Sequence, residues 1–230
     1  MVILLHKLTD TTMTSTLNGY GHNARSHIAK FIPTEARRVL DVGCNTGGFG
    51  EALKKERGIE VWGVEPNDEA ARAASSVLDR VICQPFDASC PLPDSTFDVV
   101  AFTDVLEHFI DPWAALLLAK RKLRDGGVIV ASIPNFLHQE NLLHLLRDRD
   151  FKYEETGIRD KTHLRFFTKM SAQRMFTECD FTIVKVEGIN SEWWSSNILR
   201  RLAYRIFSQQ LEETKYIQYV IVAKPARIDG

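Results

Sequence analysis

The run Val39-Leu40-Asp41-Val42-Gly43-Cys44-Asn45-Thr46-Gly47-Gly48-Phe49-Gly50 reads as an apolar strand that opens into a glycine-rich turn and then a helix. Such a turn needs glycine because the backbone takes positive φ and a ligand approaches with no room for a Cβ. Asn45 stands where many such loops carry glycine, and asparagine tolerates left-handed geometry better than most residues, so the turn survives. Glu65 follows Gly43 by 22 positions and closes the next strand, where a carboxylate can accept both hydroxyl protons of a ribose. A glycine loop with a distant acid also serves nicotinamide dinucleotides. Asp41 separates the two cases, because a carboxylate two residues before the first glycine repels a pyrophosphate at the following helix N-terminus. With Asp87, Asp104 and Glu107 also near strand ends, the pattern fits a cationic nucleoside better than a phosphorylated one.

Outward from this run, short β-branched segments alternate with longer helical ones, the signature of a parallel sheet flanked by helices. Strands are expected over 38–42, 60–64, 80–83, 97–102, 128–133, 181–186 and 216–223, and helices over 48–56, 68–77, 112–123 and 169–179. Asp111 and Pro112 supply an N-cap and a first-turn proline, Asp125-Gly126-Gly127 is read as ending that helix, and Thr168 as capping the next. Asp98 reads as a strand-start residue. Residues 1–36 form a leader with a helical stretch over 23–31. Residues 135–168 are inserted after the fifth strand, at the edge where open α/β sheets bind ligands. Residues 190–210, with Trp193 and Trp194, read as an amphipathic helix over the same edge.

The 230 residues are read as a single domain, large enough to bury a core without metals or disulfides. Lys plus Arg is 29 and Asp plus Glu is 30, so the net charge of −1 implies no attraction for nucleic acid or anionic membrane. The apolar run 114–119 is far too short for a membrane span, and 2–5 too short for a signal-peptide core. Cys44, Cys83, Cys90 and Cys179 show no paired spacing and read as reduced thiols, so a cytoplasmic location is expected.

Four ordered motifs, VLDVGCNTGGFGEAL, VWGVEPN, QPFDA and FDVVAFTDVLEHFIDP, resemble those of class I S-adenosylmethionine-dependent methyltransferases over about residues 20–225. S-adenosylmethionine carries no phosphate, and its ammonium and sulfonium are cations, in keeping with Asp41. The resemblance implies a Rossmann-like seven-stranded, mostly parallel sheet with helices on both faces, an antiparallel last strand and helical insertions over the strand C-terminal edge. It places the methionine end on Gly43, Cys44, Asn45 and Gly47, the ribose on Glu65 beside Pro66, and the adenine on Asp87 with Phe86. Asp41, Thr103 and Asp104 complete the expected cofactor contacts.

Methyl transfer to a hydroxyl needs an aligned acceptor and a group to take its proton. Residues 157–168, GIRDKTHLRFFT, are similar to a segment of a methyltransferase subgroup often linked to surface-polysaccharide and natural-product pathways, which makes a small hydroxylated acceptor the leading expectation. His163, held by Asp160, is the first candidate base and His108 the second. Arg165, Phe166, Tyr20 and Asn135 are the expected acceptor contacts. Asp104, Glu107 and His108 resemble the metal-contacting EH segment of quinone-pathway O-methyltransferases, but in a helical turn Glu107 and His108 would point apart, so no metal is expected. The competing readings are N-methylation of a small amine, a nicotinamide-dependent oxidoreductase, for which no Tyr-x-x-x-Lys pair is present, and a non-catalytic cofactor-binding protein. The acceptor's identity and the oligomeric state are not legible.

Overall fold

A computed structural model describes residues 25–191, 206 and 211–226. Seven strands form one sheet: β1 (Arg38–Val42), β2 (Glu60–Val64), β3 (Arg80–Ile82), β4 (Phe97–Thr103), β5 (Leu123–Pro134), β6 (Phe181–Ser191) and β7 (Tyr216–Pro225). Their order is β3-β2-β1-β4-β5-β7-β6, parallel except for β7, which is antiparallel to both neighbours. The order reverses between β1 and β4, and the crevice beyond their C-terminal ends is where ligands enter such sheets.

The helices are α1 (Ser26–Ala29), α2 (Gly48–Arg57), α3 (Asp68–Ser75), α4 (Pro112–Lys122), α5 (Gln139–Asp148) and α6 (Lys169–Glu178). Alternation along the central strands divides the core in two. Leu40, Phe102 and Ile129 face Leu116 of α4 and Phe176 of α6. Val39, Ala101 and Val130 face the layer of Phe49, Leu53 and Ala74 from α2 and α3, with Ile28 of α1. Every residue of β4 is buried, as expected for a strand covered on both faces.

Local chemistry sets most boundaries. Asn67 caps α3, Asp111 caps α4, and Thr168 with Ser171 closes a capping box on α6. Two expectations are corrected. The Asp125-Gly126-Gly127 run does not end α4, which stops at Lys122; it lies inside β5, where the register passes from Phe97↔Leu123 to Val99↔Val128. Four residues there oppose the single residue Asp98, and a Cβ on Gly127 would meet three carbonyl oxygens at 3.0–3.1 Å, so glycine lets the bulge close without pushing those carbonyls back. The leader helix is shorter than expected: α1 loosens into turns ahead of Pro33, which restricts Ile32 and lacks an N–H. Tyr20, the two tryptophans and almost all of the expected helix over 190–210 lie outside the described residues, and Asn190 and Ser191 end β6.

Asp98 does more than begin a strand. Its Oδ2 accepts the N–H groups of Arg37 and Arg38, each at 2.7 Å, and Arg124 pairs with its other oxygen. Partial burial acts to raise its pKa, but these donors hold it below the usual carboxylate value. Asp98→Ala is expected to cost about 1–3 kcal/mol in urea unfolding at neutral pH, because two strand-entry N–H groups lose their acceptor. A lowered folded pKa means this stabilisation is present above the unfolded value and is lost as pH falls through the folded one, so wild type and variant should converge in acid.

Candidate active site

The glycine loop is tied to the neighbouring strand: Gly43 and Cys44 donate to the Val64 carbonyl at 2.8 and 3.2 Å. Gly43 has φ of 70°, and a Cβ there would sit 2.4 Å from the Val105 side chain, so the loop and the turn after β4 touch only because this residue is glycine. Asn45 adopts φ of 48°, the left-handed geometry expected for it. Glu65 is held from both sides, Oε2 accepting from Asn45 N–H and Oε1 from Asn67 N–H, each at 2.9 Å.

Two cavities meet along this edge. One of about 710 Å³ is mostly apolar and includes Phe86, Asp87, Phe109, Leu117 and Leu118. The other, about 530 Å³, includes Asn45, Glu65, Thr103, Asp104, Asp160 and Lys161. Gly43, Pro66, Val105 and His108 line both, so the two form one trough with His108 on the wall they share. Phe86 is buried edge-on against Phe102, and the exposed Asp87 accepts from Ser89, whose hydrogen bonds hold its pKa below the usual value.

Asp41 lies beneath the loop, 1% exposed, and neither of its oxygens has a hydrogen-bond partner. Burial raises its pKa to about 7, Arg25 works against that, and Glu65 adds to it. Cys44 is buried there too, and burial raises its thiol pKa strongly. Arg25 was not legible as a site residue, because it precedes the alternating pattern. It donates to the Thr103 carbonyl and lies 3.4 Å from Asp104, whose other oxygen accepts from Ser132 at 2.6 Å.

The acceptor side departs from expectation. Asp160 holds His163 through the backbone, its carbonyl accepting the His163 N–H at 3.0 Å, while its Oδ1 accepts from the backbone and hydroxyl of Thr162, at 2.7 and 2.6 Å, and makes no hydrogen bond to the imidazole. His163 is 5% exposed, with Nδ1 3.1 Å from the Ile158 carbonyl. Thr162 meets His108 instead, its carbonyl 3.2 Å and its hydroxyl 3.1 Å from Nδ1. The imidazoles pack edge to face at 4.7 Å, and burial lowers both pKa values, His163 lowering that of His108 further. Arg165 reaches the Ile110 carbonyl, and Phe166 packs with Phe136 and Phe151 inside the insertion. Asn135 is 1% exposed, its amide donating to the carbonyls of Glu213 and Tyr216. None of these three lines the trough, so the structure does not bring them to the acceptor position expected for them.

Glu107 and His108 do not point apart. The turn at Leu106–His108 is a single 3-10 turn, and ligand atoms of Glu107, His108 and His163 lie within 4.8 Å of one another. Glu107 is 1% exposed, and burial, with Asp104 nearby, pushes its pKa well above the usual value.

The methyltransferase domain family matches residues 20–186. A ubiquinone biosynthesis O-methyltransferase of Psychrobacter arcticus is 28% identical over 163 residues, 67% of this chain, and the match spans 62% of that relative. A 27-O-demethylrifamycin SV methyltransferase of Amycolatopsis mediterranei is 32% identical over 44% of the chain and 40% of its own length. Among solved structures, a SAM-dependent methyltransferase from Archaeoglobus fulgidus superimposes with a TM-score of 0.63 at 26% identity, covering 86% of this chain and 91% of that one. Among the described residues, no helix is long and apolar enough to cross a membrane.

The buried state of Asp41 makes a stability prediction that needs no ligand. Its pKa rises from 3.8 to about 7 on folding, so the folded chain binds the proton more tightly and the penalty grows as pH rises between those values. Asp41→Asn is therefore expected to melt higher than wild type, by a margin that widens from about pH 4 to pH 7 and is level above. Calorimetry across that range checks it; a margin that shrinks with rising pH would show Asp41 to be stabilised as an anion.

Proposed function

The chain belongs to the methyltransferase domain family, and from that premise we propose that it transfers a methyl group from S-adenosylmethionine to an oxygen of a small hydroxylated acceptor, such as a sugar or natural-product intermediate. The observation that carries the reading is the acidic surround of the glycine loop, with Asp41 buried beneath it without a hydrogen-bond donor and Glu65 lining the trough. A pyrophosphate would be repelled there, whereas an ammonium and a sulfonium suit it. Gly43, Asn45 and Gly47 would carry the methionine end, Thr103 and Asp104 would flank it, Glu65 would accept from the ribose, and Phe86 with Asp87 would take the adenine at the apolar end.

When bound, the cofactor supplies a methyl group on a cationic sulfur, already activated for in-line displacement. The chain's own task is to align the hydroxyl and let its proton go. His108 is the imidazole on the trough wall, oriented by Thr162, which Asp160 holds in turn. His163 and Glu107 stand behind it. We therefore rank His108 ahead of His163 at the acceptor. O-methylation is supported by the names of both curated relatives.

Glu65→Ala should weaken S-adenosylhomocysteine binding by about 10-fold or more in calorimetry while the fold is kept, since charge-assisted hydrogen bonds are worth about 1.5–3 kcal/mol each. Unchanged affinity would move the ribose elsewhere. His108→Ala should keep that affinity within a few-fold and lower turnover by about 10² to 10⁴-fold once an acceptor is in hand; a fully active variant would remove His108 from the chemistry.

A further inference from the structure

Beyond the trough lies a further cavity, of about 430 Å³, and no described residue lines both. A short loop of the insertion separates them. Its Glu154 N–H donates to the Arg159 carbonyl at 2.8 Å, and the Glu154 carbonyl accepts from Lys161 at 2.9 Å, so the loop closes on itself. Glu154, Gly157, Ile158 and Arg159 line this cavity, whereas Glu155, Asp160 and Lys161 line the trough. Facing the loop across the cavity, α5 contributes Glu140, Asn141, His144 and Arg147.

Two side chains of this lining hold polar atoms with nothing to bond. Arg159 is 8% exposed; its Nη2 pairs with Glu154, and its Nη1 is buried without an acceptor. Asn141 is buried as well; its amide donates to the Phe136 carbonyl at 2.7 Å, and its Oδ1 has no donor. Buried donors and acceptors in native folds are nearly always paired, and each one left unpaired is costly. An orphan donor and an orphan acceptor on one cavity call for a ligand that both accepts and donates.

Charge decides which kind. In the lining, Arg147 and Arg159 are matched by Glu140 and Glu154. Just outside it, Asp148 holds Arg147 at 2.6 and 2.9 Å and His144 at 3.1 Å. With no positive charge in surplus, an added anion would be repelled as much as held. An apolar ligand would strip water from the charged groups and return no hydrogen bonds. A hydroxyl answers both orphans, since it donates and accepts. We propose that this cavity is a second binding site, for a neutral polyhydroxylated ligand about the size of one sugar ring, with Arg159 donating to one hydroxyl oxygen and Asn141 accepting from another. Leu143, Ile158 and Ile217 give the C–H face of such a ring an apolar bed. The volume falls within the range of small-molecule sites, about 300–1,000 Å³. The site goes beyond methyl transfer and does not depend on it.

The test records proton–nitrogen correlation spectra of the ¹⁵N-labelled whole chain, in which the Asn141 side-chain amide and the Gly157 and Ile158 backbone amides report on the cavity. D-glucose, D-galactose, D-mannose and myo-inositol are titrated in turn, with sodium acetate and inorganic phosphate beside them. At least one neutral probe is expected to shift those signals saturably in the millimolar range, and neither anion to do so. Arg159→Lys, which keeps the charge beside Glu154 but removes Nη1, should weaken that probe by about 10-fold or more, the loss of one hydrogen bond to a charged group. Leu143→Trp should abolish binding by filling the cavity while every polar group stays in place. Well-dispersed spectra show both variants to be folded. No saturable shift from any neutral probe overturns the site, and shifts from acetate or phosphate instead overturn the neutral ligand. Unchanged affinity in both variants, or shifts confined to Gly43 and Val105, would put the sugar in the trough and overturn the placement. A chain that binds sugar here but does not bind S-adenosylhomocysteine would keep this site and lose the methyltransferase reading.

Discussion

Burying a carboxylate without a donor is among the larger costs a fold can carry, and among the described residues it occurs at two carboxylates along the C-terminal edge of the sheet. Asp41 and Glu107 are each 1% exposed with no hydrogen bond to either carboxylate. Their neighbours are treated differently: Glu65 is held by two backbone N–H groups, and Asp104 by Ser132 and Arg25. The uncompensated pair lies where the glycine loop and the turn after β4 meet. Anything positive that binds there binds the folded state alone and offsets the cost, so the edge is built to be completed by ligands.

The rest of the architecture keeps that edge in register. β1 and β4 lie side by side at the point where strand order reverses, and their loops diverge to leave a crevice. The contact of Gly43 with Val105 sets how close those loops come. Glu107 then serves twice: its carbonyl accepts from Leu164 and Arg165 of the insertion, while its side chain faces His163 from the same segment. The turn that positions His108 therefore also positions the insertion.

β1 and β2 were legible to the residue, and the caps on α4 and α6 were too, because these depend on neighbours in sequence. Local rules failed where a distant partner decides. A glycine pair after a helix reads as its stop, but Gly126 and Gly127 serve a bulge that depends on Asp98 across the sheet. In the site, the glycine loop and Glu65 follow from spacing, whereas Arg25 arrives from outside the alternating pattern. Asp160 and His163 are three apart, which invited pairing their side chains; the turn pairs their backbones instead, while the Asp160 carboxylate meets Thr162 and the His163 imidazole meets Ile158. Proximity in sequence did not predict that His108, 55 positions away, would share the cluster with His163.

The two ends of the trough differ in a way that bears on the acceptor. Phe86, Phe109, Leu117 and Leu118 make one end apolar, which suits a flat heteroaromatic ring. Arg25, Glu155, Asp160 and Lys161 surround the other, with Lys161 and Glu155 paired at 2.5 Å. Burying an apolar chain against such a wall would strip water from charged groups and return no hydrogen bonds. A compact acceptor rich in hydroxyls can exchange those waters one for one, since each hydroxyl both donates and accepts. On the proposed methyl-transfer reading, the charge at that end would suit a sugar-like or polyhydroxylated acceptor better than a lipophilic one.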